Sequence, residues 1–527
     1  MSRRLVLTVD LGSGGPKIGY VTTRGDPVWW WYERAYALES VATQDAEEWW
    51  RTVVSAALRG QAEGGVSGAD VVAVAVTGQW ASTVPVDASG RPVAECLMWS
   101  DTRGAAYSKE VFGGPVSGYA PGPLALWLRR TGGIPSPHGC DPVAHMLHLA
   151  RDRPEVAAVA RWYLEPVDYL TMRFTGVAAA THMSMTAAWL TDNRHLDRMA
   201  YDDRLVATAG VDASKLPPLV PGGSVVGTVL PEVAAELGIP ASAVVVTGTP
   251  DLHNAAVGSG CVGLGEAHLT LGTTAWISCP VPAKKSDVVR QMASLPGLGP
   301  SLGRSLGRSL GRSLGRSSGA GPYLLGNNQD NAGRALEWFR ETVLPEASYD
   351  DLEALASSAP PGAGGVLFTP WLTGERSPVD DKHARAGFHN VSLSTSRGDL
   401  ARAVLEGVAH NLRWLLEGAE HFTKSRLDPI RVLGGGARMD LWCQVVADVL
   451  DRTLERVEHP LVGGLRGAGL YAGLALGDVR ADELRALVPV DRVFTPDPAT
   501  RATYDALSAE LPRLYRRQKR MFARLNG

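Results

Sequence analysis

The chain has 527 residues, too many for one hydrophobic core, which predicts at least two domains. Its 52 Lys and Arg against 55 Asp and Glu leave a formal charge of −3, so no global field favours nucleic acid or an anionic membrane. Cys96, Cys140, Cys261, Cys279 and Cys443 form no C-x-x-C pair, which indicates neither a zinc site nor a disulfide framework, and no apolar run approaches the ~18 residues of a membrane span. Arg3 and Arg4 lead straight into a strand-like run with an internal acid, unlike a signal peptide, so the expectation is a reduced, cytoplasmic α/β protein.

In chain order, Leu5 to Asp10, Lys17 to Thr23 and Pro27 to Tyr36 read as strands separated by glycine turns, the second at Arg24-Gly25-Asp26. Trp29, Trp30 and Trp31 read as aromatic strand filling. The first strand ends on Asp10, and an unpaired buried carboxylate is costly. Gly12, Ser13, Gly14 and Gly15 follow, where the backbone can approach a ligand closely, and then Lys17. Asp45 to Arg59 reads as a helix with Asp45 as N-cap and Glu48 completing a capping-box pattern. The apolar run from Val71 ends in Thr77-Gly78-Gln79. A second buried run ends in Thr-Gly-Thr-Pro before Asp251, where an N-cap role is the plain alternative to a chemical one.

A second start appears at Glu266 to Pro280, where an apolar strand again meets a Gly turn with small hydroxyls, Gly272-Thr273-Thr274. Helix-like runs follow at Asp330 to Val343, Gly398 to Phe422, Arg438 to Leu450 and Arg466 to Leu476, with strand-like runs at Gly365 to Thr369 and Ile430 to Leu433. The second of these strands ends in Gly434-Gly435-Gly436. The chain therefore reads as two related α/β halves, 1–258 and 259–527, facing a nucleotide cleft. A low-complexity loop at about 296–321 contains the four-residue repeat Ser301 to Ser318, which reads as a disordered surface loop because a glycine every fourth residue costs a helix ~1 kcal/mol each. The basic tail Arg513 to Leu525 reads as an amphipathic helix.

No G-x-x-x-x-G-K-[ST] occurs, so a P-loop is excluded. Three glycine elements fit phosphate and nucleotide handling instead: Asp10 with Gly12, Ser13 and Lys17; Gly272 with Thr273 and Thr274; and the glycine triplet. Met98 to Gly104, Leu164 to Gly176, Thr369 to Pro378 and Ala401 to Glu417 complete a set of motifs in one order. Together these resemble the FGGY carbohydrate kinases, and within them the xylulokinase-like branch, over roughly Leu5 to Gly477.

The resemblance implies an actin/hexokinase-like (ribonuclease H-like) duplicated fold, two domains closing on ATP and a sugar or polyol. It also implies roles. Asp10 resembles the residue that holds Mg²⁺ through water. Gly12, Ser13, Gly272 and Thr273 resemble the phosphate loops, and Gly435, Gly436 and Arg438 the adenosine site. Asp251 matches the general base, and Gln79, Trp80, Asp101 and Arg103 fall where the family lines the sugar pocket. The implied reaction is ATP-dependent phosphorylation of a primary hydroxyl of a ketopentose such as xylulose. Other ketoses and polyols, including ribulose, pentitols and sedoheptulose, are the alternatives, and a non-catalytic sugar- or nucleotide-binding relative is the rival outside enzymology. The family often forms dimers, although no interface signature is visible here.

Two departures bear on the substrate. Xylulokinases carry Met-His after the strand that ends here at Gln79, whereas this chain has Trp80 and Ala81; and Leu252 follows Asp251 where xylulokinases have Asn. The Arg-Glu pair of glycerol kinases near Gln79 is also missing. Both departures remove polar contacts and predict an altered or less polar substrate than D-xylulose. Of the remaining residues, His253 and Asn254 are expected mainly to pack, Glu375 and Arg376 to brace the domain through a salt bridge, and Asp168 to stabilise its lobe.

Overall fold

A computed structural model describes residues 3–12, 14–33, 42–116, 118–298 and 322–527. Ser13, the residues beyond position 33 in the third predicted strand, and the Ser301 to Ser318 repeat lie outside the described residues.

The N-terminal half is built on a sheet with strands β1 (Leu5–Gly12), β2 (Gly15–Thr22), β3 (Pro27–Tyr32), β4 (Val71–Gly78), β5 (Val225–Thr228), β6 (Val244–Val246) and the short β7 (Thr249–Pro250). Their order is β5-β6-β4-β1-β2-β3, with β7 beside the end of β4. β1, β2 and β3 are antiparallel, while β4 runs parallel to β1 and to β6. Valine and leucine fill β1 and β4 on both faces, as strands covered by helices on both sides require. Helix α1 (Ala46–Glu63) covers one face; Trp49, Trp50 and Val53 bury against it. Asp45 caps that helix one residue earlier than the capping-box pattern predicts, accepting from the Glu47 amide at 2.9 Å. Trp29 and Trp31 pack on this core and Trp30 is exposed, so the tryptophan run fills an edge strand.

The C-terminal half repeats the plan. Its strands are β8 (Ala267–Leu271), β9 (Ala275–Ser278), β10 (Ile430–Leu433), β11 (Leu454–Val457) and β12 (Val490–Phe494), in the order β9-β8-β10-β11-β12. Again an antiparallel hairpin leads into two parallel pairings and an antiparallel edge. Helices α3 (Gly333–Val343), α4 (Arg397–Thr423) and α5 (Asp440–Leu450) surround it, α4 with most of its residues buried. The predicted helix from Asp330 starts at Gly333, and that from Arg438 at Asp440 after a short turn of 3₁₀ helix over Gly435–Arg438.

Two helices join the halves. α2 (Asp251–Gly258) leaves the N-terminal sheet, and α6 (Gly463–Leu476), from the C-terminal half, lies along α2 and on β1, β2 and β4. Glycines make this approach possible: a Cβ on Gly258 would strike the Gly463 carbonyl, and one on Gly467 the Asn254 carbonyl. The tail forms helix α7 (Arg501–Asn526), whose Tyr515 and Phe522 pack edge-on to Trp371, leaving its basic side outward. Among the described residues no helix is long and apolar enough to cross a membrane, and all five cysteines are free.

Candidate active site

Parallel strands place their C-terminal ends on one side of a sheet, where open α/β sheets bind ligands. Here the ends of β1, β4 and β7 bring Asp10, Thr77 and Thr249 into register, with Asp251 two residues beyond Thr249 as the first residue of α2. Lys17 pairs with Asp10 across the β1–β2 hairpin, Nζ to Oδ2 at 3.0 Å. Burial pulls the Lys17 pKa down, but the charge and hydrogen bond of Asp10 outweigh it, so the ammonium is held above its usual range.

Asp251 is the perturbed acid of the site. Burial, then the negative charge of Asp10, push its carboxyl up to about 7, against the pull of the Leu252 amide, which donates at 2.7 Å, and of Lys17. An ordinary aspartate is fully ionised at neutral pH; this one is poised between its two forms, as suits a group that exchanges protons. Its N-cap alternative is not realised, because helix α2 takes its cap at Pro250 and Asp251 lies inside the first turn.

The C-terminal half contributes two glycine turns. At the β8–β9 hairpin, the Gly272 amide donates to the Thr274 carbonyl at 3.0 Å, and the Gly272 and Thr273 carbonyls accept from the amides of Gly333 (2.8 Å) and Ala332 (3.0 Å) at the start of α3. That clamp leaves Thr273 exposed at the tip. In the triplet, the three glycines differ. Gly434 has a φ of +102° and its Cα lies on the Leu271 backbone; Gly436 is wedged against Trp442 and Leu271. Gly435 is exposed, and a Cβ there would find only Leu461 Cδ1, at 3.8 Å. So the outer glycines are needed for packing, and the middle one keeps the turn open. Arg438 is exposed beyond it.

On the opposite side, Gln79 follows β4; its amide donates to the Leu11 carbonyl at 2.8 Å and its Nε2 to Gln44 Oε1 at 3.1 Å. Trp80 comes next. The turn after it is strained, with Ala81 at φ +62°, and is pinned by the buried Glu165 carboxylate, which accepts from the Ser82 amide at 3.1 Å. Arg103 grips Asp101 with Nη2 to Oδ2 at 2.6 Å; burial raises the Asp101 pKa, but the Arg103 bonds win and hold it below its usual range.

The two departures from the xylulokinase pattern meet in space. Leu252 is buried with Ala256, Leu295 and Leu324, and Trp80, Trp189 and Trp276 pack around that cluster from three separate segments. Trp189 is itself at φ +54°, its ring lies where a side chain on Gly133 would be, and its Nε1 donates to the buried Asp141 carboxylate at 3.3 Å. An indole wall thus packs around the cluster that holds Leu252, the residue after Asp251.

Sequence reasoning missed Gly464, Asn254's bond to it, Glu165 and Trp189. Gly464 abuts the Asp10 carboxylate, and Asn254 Nδ2 donates to the Gly464 carbonyl. Among the described residues, Thr77 Oγ1, Gln79 Oε1, Asn254 Oδ1 and Trp276 Nε1 belong to a wider set of buried polar atoms without a hydrogen-bond partner. His253 is structural: its Nε2 meets the Pro296 carbonyl at 2.6 Å, and burial lowers its pKa to about 4. The expected salt-bridge brace holds for Arg376 and is corrected for Glu375. Arg376 pairs with Asp330 at 3.4 Å, while Glu375 accepts from the amides of Asp330 and Arg376, both at 2.9 Å, and from Asn411. Burial, and then the Asp330 charge, push Glu375 up to about 8, so it is a hydrogen-bond hub and no ion-pair partner of its neighbour. Asp168 is fully buried in the lobe core.

No group of three or more His, Cys, Asp or Glu side chains is placed to cage a metal among the described residues. A lone carboxylate at a strand end fits Mg²⁺ all the same, because that ion keeps most of its waters and is commonly held by one or two carboxylates with substrate phosphates.

Comparison with known proteins gives the family and the fold. Residues 6–258 match the model of the FGGY family of carbohydrate kinases, N-terminal domain, and residues 309–476 that of the C-terminal domain. The xylulose kinase of Staphylococcus epidermidis is 25% identical over 533 residues, covering 100% of this chain and 99% of that one. The glycerol kinase of Chloroflexus aggregans is 27% identical, covering 89% and 90%. Solved structures of a xylulose kinase and a gluconate kinase from Lactobacillus acidophilus each superpose with a TM-score of 0.82 at 20% identity, over 99% of this chain and 100% of theirs. The two-domain α/β fold is therefore actin/hexokinase-like, and the chain belongs to the FGGY family of carbohydrate kinases, phosphotransferases with an alcohol group as acceptor.

Proposed function

We propose that this kinase uses ATP and Mg²⁺ to phosphorylate a primary hydroxyl of a ketopentose or related polyol that presents a less polar face than D-xylulose. The observation that carries the substrate reading is the meeting of Trp80 and Leu252, the residue after Asp251, in one apolar cluster. Indole faces stack on the C–H faces of sugars, and Trp offers only a single hydrogen-bond donor.

In this reading Asp251 orients the sugar hydroxyl and accepts its proton as the phosphoryl group moves. Its raised pKa gives the proton a destination near neutral pH. Gly12, and the Gly272-Thr273 turn through its exposed Thr273, meet phosphate oxygens, Lys17 adds positive charge, and Ser13 belongs to the same loop. Asp10 would hold Mg²⁺ through water, supplying charge neutralisation for the transferring group. The open position at Gly435, with Gly436 and Arg438, receives adenosine. Gln79, Trp80, Asp101 and Arg103 line the sugar side. Most of the catalysis is alignment and charge neutralisation, which these fixed groups provide.

The test is coupled ADP release with ATP and Mg²⁺ across D-xylulose, D- and L-ribulose, pentitols, glycerol, gluconate and sedoheptulose. A saturable substrate that outperforms D-xylulose is expected. Ordinary xylulokinase efficiency with D-xylulose would overturn the altered-pocket reading, and silence with every acceptor while ATP binds would favour a non-catalytic relative.

A further inference from the structure

Apart from the strand ends, the N-terminal half carries a surface hollow of about 310 Å³. Helix Pro121–Arg130 forms its floor, with Gly122, Ala125 and Leu126 at helical spacing on one face and Arg129 one turn further along it. The small side chains of Gly122 and Ala125 keep the floor low. Arg129 and Arg130 from this helix, and Arg194 and Arg204 from two later segments, form the rest of the lining. The helix dipole alone accounts for basic residues in its last turn. It does not account for two more arginines converging on the same hollow from elsewhere in a chain whose net charge is −3.

Two of the four are neutralised: Arg194 pairs with Asp192 at 2.6 Å, and Arg130 with Asp202. Arg129 and Arg204 make no ion pair among the described residues, so two of the four guanidinium groups are left without an ion-pair partner there. Guanidinium forks match the oxygens of phosphate in pairs, and concavity adds contacts that a flat basic patch lacks.

The segments that carry these arginines also meet the C-terminal half. Lys284 Nζ donates to the Leu128 carbonyl (2.7 Å), Ser286 Oγ to that of Gly132 (2.6 Å) and Tyr323 OH to that of Asn193 (2.7 Å). We propose that the hollow is a second anion site, separate from the phosphate loops, that binds a small phosphate-bearing molecule and ties together the segments on which the C-terminal half rests. This inference does not depend on the substrate reading above.

The experiment is calorimetric titration of the full chain, saturated with ADP, with inorganic phosphate and with glucose 6-phosphate, in the wild type and in the Arg129→Gln/Arg204→Gln double variant. The wild type is expected to show a binding class that weakens at least tenfold in the double variant, with kcat, KM and anion-free melting temperature unchanged. Binding of glucose 6-phosphate in that class assigns the site to phosphate esters; binding of inorganic phosphate alone assigns it to the free ion. Equal titrations of the two proteins by both probes, or no class in the wild type beyond those the double variant retains, overturn the proposal.

Discussion

Gly464, in the first turn of α6, lies directly against the carboxylate of Asp10, so that a side chain on the glycine would collide with Oδ2. The acid comes from the first strand of the N-terminal half and the glycine from a helix of the C-terminal half. The position of the proposed Mg²⁺ ligand is therefore set by how the two halves pack. Gly464→Ala is expected to cost ~1–3 kcal/mol of stability through overpacking and to raise the KM for MgATP more than that for the sugar. Thermal unfolding with steady-state kinetics checks this, and an unchanged nucleotide KM would count against the placement of Asp10.

Asp251→Asn should lower kcat by about 10²–10⁴-fold, the usual contribution of a positioned base, with the fold retained. The wild-type pH profile supplies the sign. The raised carboxyl takes up its proton as pH falls through about 7, so kcat/KM should decline on the acid side of that value. Neutralising Asp10 with Mg²⁺ weakens one of the causes of the shift, so the decline should move to lower pH as Mg²⁺ is raised. A profile flat from pH 5 to 8 would remove Asp251 from proton transfer.

The glycine triplet predicts three different outcomes from one kind of substitution. Gly435→Ala should fold normally and raise the KM for ATP, because the added methyl meets almost nothing of the protein. Gly434→Ala and Gly436→Ala should lower the melting temperature, because each would drive a methyl into Leu271. Melting curves for all three, with ATP kinetics for the first, decide it.

Trp80→His with Leu252→Asn places two polar groups in one apolar cluster. The pair should raise kcat/KM for D-xylulose by about tenfold, within the range that one or two pocket contacts control. It should lower the rate with whichever substrate the wild type prefers. Parallel measurement of both substrates is the check, and loss with both would mean that the indole wall is structural.

Much of this was legible along the chain. Asp10 before a glycine hairpin, Asp251 after a buried strand and the order of the glycine turns are local patterns, because a strand end and a tight turn are fixed by a few adjacent residues. The duplication was legible for the same reason: β1–β2 and β8–β9 repeat one short hairpin pattern. What adjacency cannot specify is contact between distant segments. Only the tertiary structure decided that Trp80, Trp189, Trp276 and Leu252 share one cluster, and that Arg376 pairs with Asp330 instead of serving with Glu375. It also decided that burial beside Asp10 lifts Asp251 to about 7, where the residue type alone predicts an ionised acid. A pKa depends on the water and charge that folding removes or brings near, and no spacing in the sequence records either.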